Sequence, residues 1–156
     1  MLFDAKLLFS SAQALTSTAA TTIASTNDID LGPLDALNTQ RNIGAGDELW
    51  LVSRVTTTFA STGSATLTAL LVSDDNSGFT STALVASVTA ALAASVLTAG
   101  YKVAEWRIPK NLTFERYLRM NYVVGTAPFS AGALTTMILS DVDSFRAYAQ
   151  DYQNLF

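Results

Sequence analysis

The stretch "FERYLRMNYVVG", Phe114 to Gly125, decides how the chain is read. Within it Leu118, Met120, Tyr122 and Val124 form one alternating set, and Tyr117, Arg119, Asn121 and Val123 form the other. A repeat of two belongs to a strand, whose successive side chains leave opposite faces; a helix repeats roughly every 3.6 residues. The first set suits a sandwich interior. The second carries Arg119, which can pair with a carboxylate across strands or reach a neighbouring molecule. Glu115 and Arg116 stand at the start of the strand.

The same period runs through the surrounding sequence. In "LWLVSRVTTTF", residues 49–59, Leu49, Leu51, Val55 and Phe59 share one face, and Trp50, Val52, Arg54, Thr56 and Thr58 share the other. "SATLTALLVS", 64–73, sets Ala65, Leu67, Ala69 and Leu71 against Ser64, Thr66, Thr68 and Val72. "TALVASV" (82–88), "YKVAEWRI" (101–108) and "GALTTMILS" (132–140) bring the strand candidates to six. The intervening "ASTGS", "DDNSG", "TAG", "PKN" and "GTAPFSAG" are rich in residues that tolerate positive φ, fix φ or satisfy their own backbone. Six strands at this spacing predict an all-β sandwich or barrel.

Composition narrows the chemistry. The 156 residues suffice for one domain with a real core, and an apolar content of 49% excludes wholesale disorder. The net charge of −4 argues against a phosphate-binding surface, so nucleic acid is not an expected partner. Histidine and cysteine are both absent. That removes the usual general base near neutral pH, the Ser-His and Cys-His nucleophiles, thiolate metal sites and disulfides. The start, "MLFDAKLLFS", has no long apolar run and does not read as a secretory signal.

Charge and texture divide the chain into three parts. Residues 1–46 carry Lys6 and Arg41 against Asp4, Asp28, Asp30 and Asp35, and read as an N-terminal arm with an edge strand. Its "SSAQALTSTAATTIASTNDIDLG" is small and hydroxylated and cannot fold alone, so it should lie across the body or a neighbour, with "STNDIDLG" able to add an edge strand. Residues 47–140 balance six positive against six negative charges and read as the sandwich body. The tail, 141–156, places Phe145, Tyr148, Tyr152 and Leu155 at helical spacing, with Asp141 and Asp143 before them. Such a stripe packs on its own domain or docks on another subunit. The uncharged run Ala83 to Ala99 is near the lower limit for a membrane span, but its hydroxyls and weakly apolar alanines argue against one. Its second half, "TAALAASVLTAG", reads as an irregular connection rather than a helix.

Candidate chemical sites are few. The acid pairs Asp28/Asp30, Asp47/Glu48, Asp74/Asp75 and Asp141/Asp143 are sequence neighbours and read as turn or cap residues, because glycosidases need two carboxylates facing each other across a cleft. Asp74, Asp75 and Asn76 offer oxygens to calcium without completing a calcium-loop motif. "NIGAGDEL" and "GTAPFSAG" lack the spacing of phosphate loops. A sugar platform would need Trp50, Trp106, Tyr101, Tyr117 and Tyr122 to share an exposed face, whereas core packing is the simpler use of them. A carboxylate hydrolase would need acids such as Glu105 and Glu115 facing one cleft. The expectation is therefore no catalytic residue, no metal and no cofactor.

Taken in order, "STNDIDLG", "IGAGDELWLVSRVTTTF", "GSATLTALLVSDDNSGF", "LTAGYKVAEWRIPKN" and "ERYLRMNYVVGTAPFSAGALTTMILSD" resemble the cement, or decoration, proteins of tailed-bacteriophage capsids, the Bbp16-like family. The likeness covers roughly Ser25 to Asp141 and rests on the succession of five segments. It implies a jelly-roll-like antiparallel β-sandwich on the exterior of a virion shell built from a separate major capsid protein. It also implies a homodimer or homotrimer that bridges capsomers and stabilises the shell against packaged DNA, with no reaction. "PLDALNTQRN", 33–42, and the aromatic tail depart from the likeness. On this reading Phe145, Tyr148, Tyr152, Leu155, Phe156, Arg119 and Tyr117 are candidates for a partner or subunit interface, and acidic arms would suit basic patches on a shell. The alternative function is a carbohydrate-binding module that assists adsorption to the host surface.

Overall fold

Alternation in "RYLRMNYVV" is realised as strand β9, Tyr117–Gly125, whose residues switch strictly between half-buried and buried along its length. The computed structural model describes residues 5–32, 48–110, 112 and 114–140. In chain order the other strands are β1 (Leu8–Ala14), β2 (Thr21–Ala24), β3 (Ile29–Asp30), β4 (Trp50–Ala60), β5 (Thr66–Asp74), β6 (Ala83–Ser87), β7 (Leu92–Ala93), β8 (Lys102–Arg107) and β10 (Ala131–Leu139). All six strands expected from periodicity form, as β4, β5, β6, β8, β9 and β10. The ambiguous alanine-rich stretch is a connection, holding the two-residue β7 and a 3-10 turn at Ala94–Val96.

Two antiparallel sheets result. One has the order β1-β10-β4-β8; the other has β2-β9-β5-β6, with β3 also on β9 and β7 also on β5. Apart from the β5–β6 hairpin and the short pieces β3 and β7, successive strands hop from one sheet to the other, which is the winding of a jelly roll. The small, hydroxylated N-terminal segment lies across the body as strands: β1 closes one sheet against β10, and β2 and β3 close the other against β9. Asp30 of "STNDIDLG" pairs with Tyr117 in that edge. Residues 33–42 and the tail, with Phe145, Tyr148, Tyr152, Leu155 and Phe156, lie outside the described residues.

The core lies between the sheets. Leu118, Met120 and Tyr122 of β9 and Leu67, Ala69 and Leu71 of β5 face Leu51 and Val55 of β4 and Leu134 and Ile138 of β10, and the N-terminal segment adds Phe9 and Leu15. Each large aliphatic side chain buried in this way contributes about 1.5–3 kcal/mol of transfer free energy before entropy is charged. Close approach fixes one backbone position: Gly132 has φ +139°, and a Cβ there would sit 2.3 Å from the ring of Phe59. Phe59 in turn meets Phe129 edge to face at 4.8 Å.

A polar thread crosses this apolar layer. Ser10 donates its only hydroxyl hydrogen to Gln13 Oε1 at 2.7 Å, so the 2.8 Å contact between Ser10 and Tyr122 must be donated by the Tyr122 phenol. Gln13 continues the chain, accepting from Thr26 N–H and donating to the carbonyl of Ala24. Ser53 and Thr136 share a buried hydroxyl bond at 2.8 Å on facing positions of β4 and β10. Every sheet-crossing hydroxyl in the thread has a partner, as burial requires.

Candidate partner-binding face

Strand alternation turns Tyr117, Arg119, Asn121 and Val123 of β9 to the outer side of the six-stranded sheet, away from the core. Register places them in rows: Thr22, Val123 and Thr68; Ala24, Asn121, Leu70 and Ser87; Arg119, Val72 and Leu84; Asp30, Tyr117 and Asp74. The centre of this face is uncharged and, apart from the buried Val72, mostly half-exposed. The other sheet differs, since Val52, Met137 and Leu139 on its outer side are buried, with Leu8 and Trp50 packed beside them.

Two arginines anchor one end of the open face. Arg119 grips Asp28 through two parallel bonds, Nε to Oδ1 and Nη2 to Oδ2, both 2.7 Å. Arg116 does the same to Asp30, at 2.9 Å for each bond. Asp28 and Asp30 therefore act less as turn residues than as clamps that hold the N-terminal segment on β9, although Asp30 also accepts the Gly32 N–H. Bidentate pairing suits the planar guanidinium fork. The hydrogen bonds it donates to Asp28, opposed by partial burial and assisted by the charges of Asp28 and Asp74, hold the Arg119 guanidinium above its ordinary range. These cations are thus neutralised within the chain.

Beneath Arg119 lies Phe79, whose ring centroid is 3.8 Å from the guanidinium carbon. Phe79 has φ +49°, a strained setting for an aromatic side chain. The turn that presents it is organised by Asp74, a fully buried carboxylate that accepts from the N–H groups of Asn76 and Ser81 and from the Ser81 hydroxyl. The Asn76 N–H above all, working against burial and joined by Ser81 and Asp75, holds the Asp74 carboxyl below its ordinary range. Asp74 thus does the capping expected of it.

Next to this turn the sheet ends in β6 and β7. The run Thr80 to Ala99 contains no charged residue, and its Leu84 and Val96 are the large apolar side chains most exposed among the described residues, at 62% and 42%. This run includes Ala83 to Ala99, weighed above as a membrane span; no helix among the described residues is long and apolar enough to cross a membrane.

Of the residues singled out in the sequence, Arg119 and Tyr117 share the open face, and Arg116 stacks on the Tyr117 ring at 4.9 Å. The five aromatics of a sugar platform are not brought together: Tyr122 is in the core, Trp106 and Tyr101 pack against it, Trp50 is outside the four-stranded sheet and Tyr117 outside the six-stranded one. Glu105 stands beside Lys102 on β8 of the four-stranded sheet, whereas Glu115 is in no strand and precedes β9 of the six-stranded one. Phe79 and Leu84 were missed. An aromatic directly after "NSG" is the one sequence signal for Phe79, and Leu84 carries none, since it sits in "TALVASV" like any other strand residue.

A family model described as Bbp16 matches residues 9–138, from β1 to the penultimate residue of β10. No curated protein matches the chain. The match takes in every strand of the sandwich and more than four fifths of the sequence, and it points to a phage-related protein. The chain belongs to the Bbp16 family.

Proposed function

We propose that the chain is a non-enzymatic structural protein of a phage virion, a capsid decoration protein. On this reading it binds the outer surface of a shell built from a separate major capsid protein, as a homodimer or homotrimer, and stabilises that shell against the pressure of packaged DNA. The observation that carries the reading is the open face of the six-stranded sheet inside a family match that spans the whole sandwich. Its arginines are already neutralised by Asp28 and Asp30, and the rows at its centre carry no charge. Such a surface suits protein better than polyanion, because phosphate binding needs cations left over for the ligand. Individually weak contacts repeated over a symmetric lattice give large total stabilisation through effective concentration.

The test is direct. Expanded empty shells assembled from the major capsid protein of the same phage are titrated with the purified chain, and binding and the temperature of shell disruption are measured. The expected result is saturation at a fixed ratio to the capsid subunit and a raised disruption temperature. Sugar retention without shell binding would replace this reading by the adsorption module.

A further inference from the structure

A sheet edge exposes a row of N–H and C=O groups, and folded proteins blunt such edges with charge, bulges, brevity or cover. Among the described residues the sandwich has four edges, and three are blunted. On β8 the sequence places Lys102, Glu105 and Arg107 along the strand. Along β1 the register shifts twice, and Asn27 and Thr26 reach over to bond the carbonyls of Leu8 and Phe9. The β2/β3 edge is broken into pieces of four and two residues and clamped by the Asp28 and Asp30 ion pairs.

The fourth edge, β6 and β7, is also in two pieces, of five and two residues with one register shift, but it carries no charge and no ion pair clamps it. Together they run along β5 from Ser73 to Thr66, nearly its whole length. Val88 sends its N–H inward to Ala69 at 2.9 Å, so by strand alternation the N–H and C=O of Ser87 point out of the edge. Leu84, 62% exposed, stands on the same strand.

We propose that the β6 edge is a strand-addition site, which takes an extended, charge-poor segment of the shell protein as a further strand of the six-stranded sheet. Main-chain hydrogen bonds would supply the affinity, and Leu84 an apolar contact on the outer face. Charge decides the kind of partner. A segment bearing Lys or Asp would lose solvation beside a run from Thr80 to Ala99 that offers no counter-charge, whereas an uncharged strand loses little. Arg119, in the same row as Leu84, and Arg116 are occupied by Asp28 and Asp30.

This inference rests on the shell-binding reading, and the experiment separates the two. The full chain, Leu84→Lys, Ser87→Lys and a control, Thr56→Lys on the other sheet, are bound to the same expanded shells. Amide hydrogen exchange is followed over residues 83–93. The expected result is that both edge lysines weaken binding by about tenfold or more while Thr56→Lys does not, the scale of losing one central contact. Binding of the wild-type chain should also slow exchange at Ser87. Edge variants that bind like the wild type overturn the proposal and leave the shell reading intact. Binding without amide protection at 83–87 overturns strand addition, as does concentration-dependent protection of the chain alone, which would assign the edge to a second copy. If the wild-type chain binds no shell, the functional reading falls first.

Discussion

Tyr122 puts a phenol hydroxyl where a sandwich interior is otherwise apolar, and its partners explain why it stays. The O–H reaches Ser10 across the interface between the sheets, so one bond ties β9 to β1. Replacing it by Phe keeps the ring and leaves Ser10 without its donor, a loss expected to cost about 1–2 kcal/mol in denaturant unfolding. Burial, partly offset by the bonds to Ser10 and Thr136, pushes the Tyr122 hydroxyl up to about 12 from 10.0. The native state therefore keeps a proton that the unfolded chain releases first. Stability from this group is intact below about pH 10 and falls as pH climbs through about 12, by roughly 3 kcal/mol in all. Tyr122→Phe should lack that component of the alkaline decline, which the difference between the two unfolding curves isolates. Gly132 gives a second residue-scale expectation. Its φ of +139° and the Phe59 ring at 2.3 Å from a built Cβ leave no room for a methyl group, so Gly132→Ala should lower stability by about 1–3 kcal/mol. Neither role was legible in the sequence, since Tyr122 alternates like its apolar neighbours and Gly132 looks like any turn glycine.

Among the elements, legibility followed hydrophobic contrast. β9 and β5 could be read because large apolar residues alternate with polar ones, and β4 because Leu51, Val55 and Phe59 mark one face even though Ser53 shares it. β1 and β2 could not, because Ser, Thr, Ala and Gln supply eight of their eleven positions and their place is set by pairing with strands more than ninety residues away. The open face was half legible. Arg119 and Tyr117 were found from period, but their clamps Asp28 and Asp30 looked like turn acids until the distant segment was laid beside β9. The turn after β5 carries its own test. Asp74 is held below its ordinary value of 3.8 by the Asn76 and Ser81 bonds, so its contribution is present above that pH and is lost as pH falls through the folded value. Asp74→Asn should flatten this acid limb and loosen the turn that holds Phe79, seen as faster amide exchange from Asn76 to Ser81 at neutral pH.

Across the whole molecule, the two sheets are closed by the same N-terminal segment, which makes residues 5–30 part of the fold rather than an appendage. Removing residues 5–16 deletes β1, Phe9 and Leu15, takes the Ser10 hydroxyl away from Tyr122 and turns β10 into an uncovered edge. The shortened chain should lose cooperative unfolding and near-ultraviolet dichroism, whereas a detachable arm would leave both unchanged. The division of the sequence by charge did not reveal this, because charge reports what a segment meets in solvent and not where its backbone bonds go.

Leu8 pairs with Met137, and Thr21 with Val124. A ribosome adding ~5–20 residues per second needs on the order of ten seconds to join such partners, and during that time the first strands of the nascent chain have nothing to pair with. A waiting strand rich in valine and isoleucine would invite aggregation. Strands in which Leu8, Phe9 and Ile23 are the large apolar side chains and Ser, Ala, Thr and Gln make up the rest can stay largely hydrated until the last strand emerges, so the plainness that hides most of β1 and β2 from a reader of the sequence also protects the chain while it is being made.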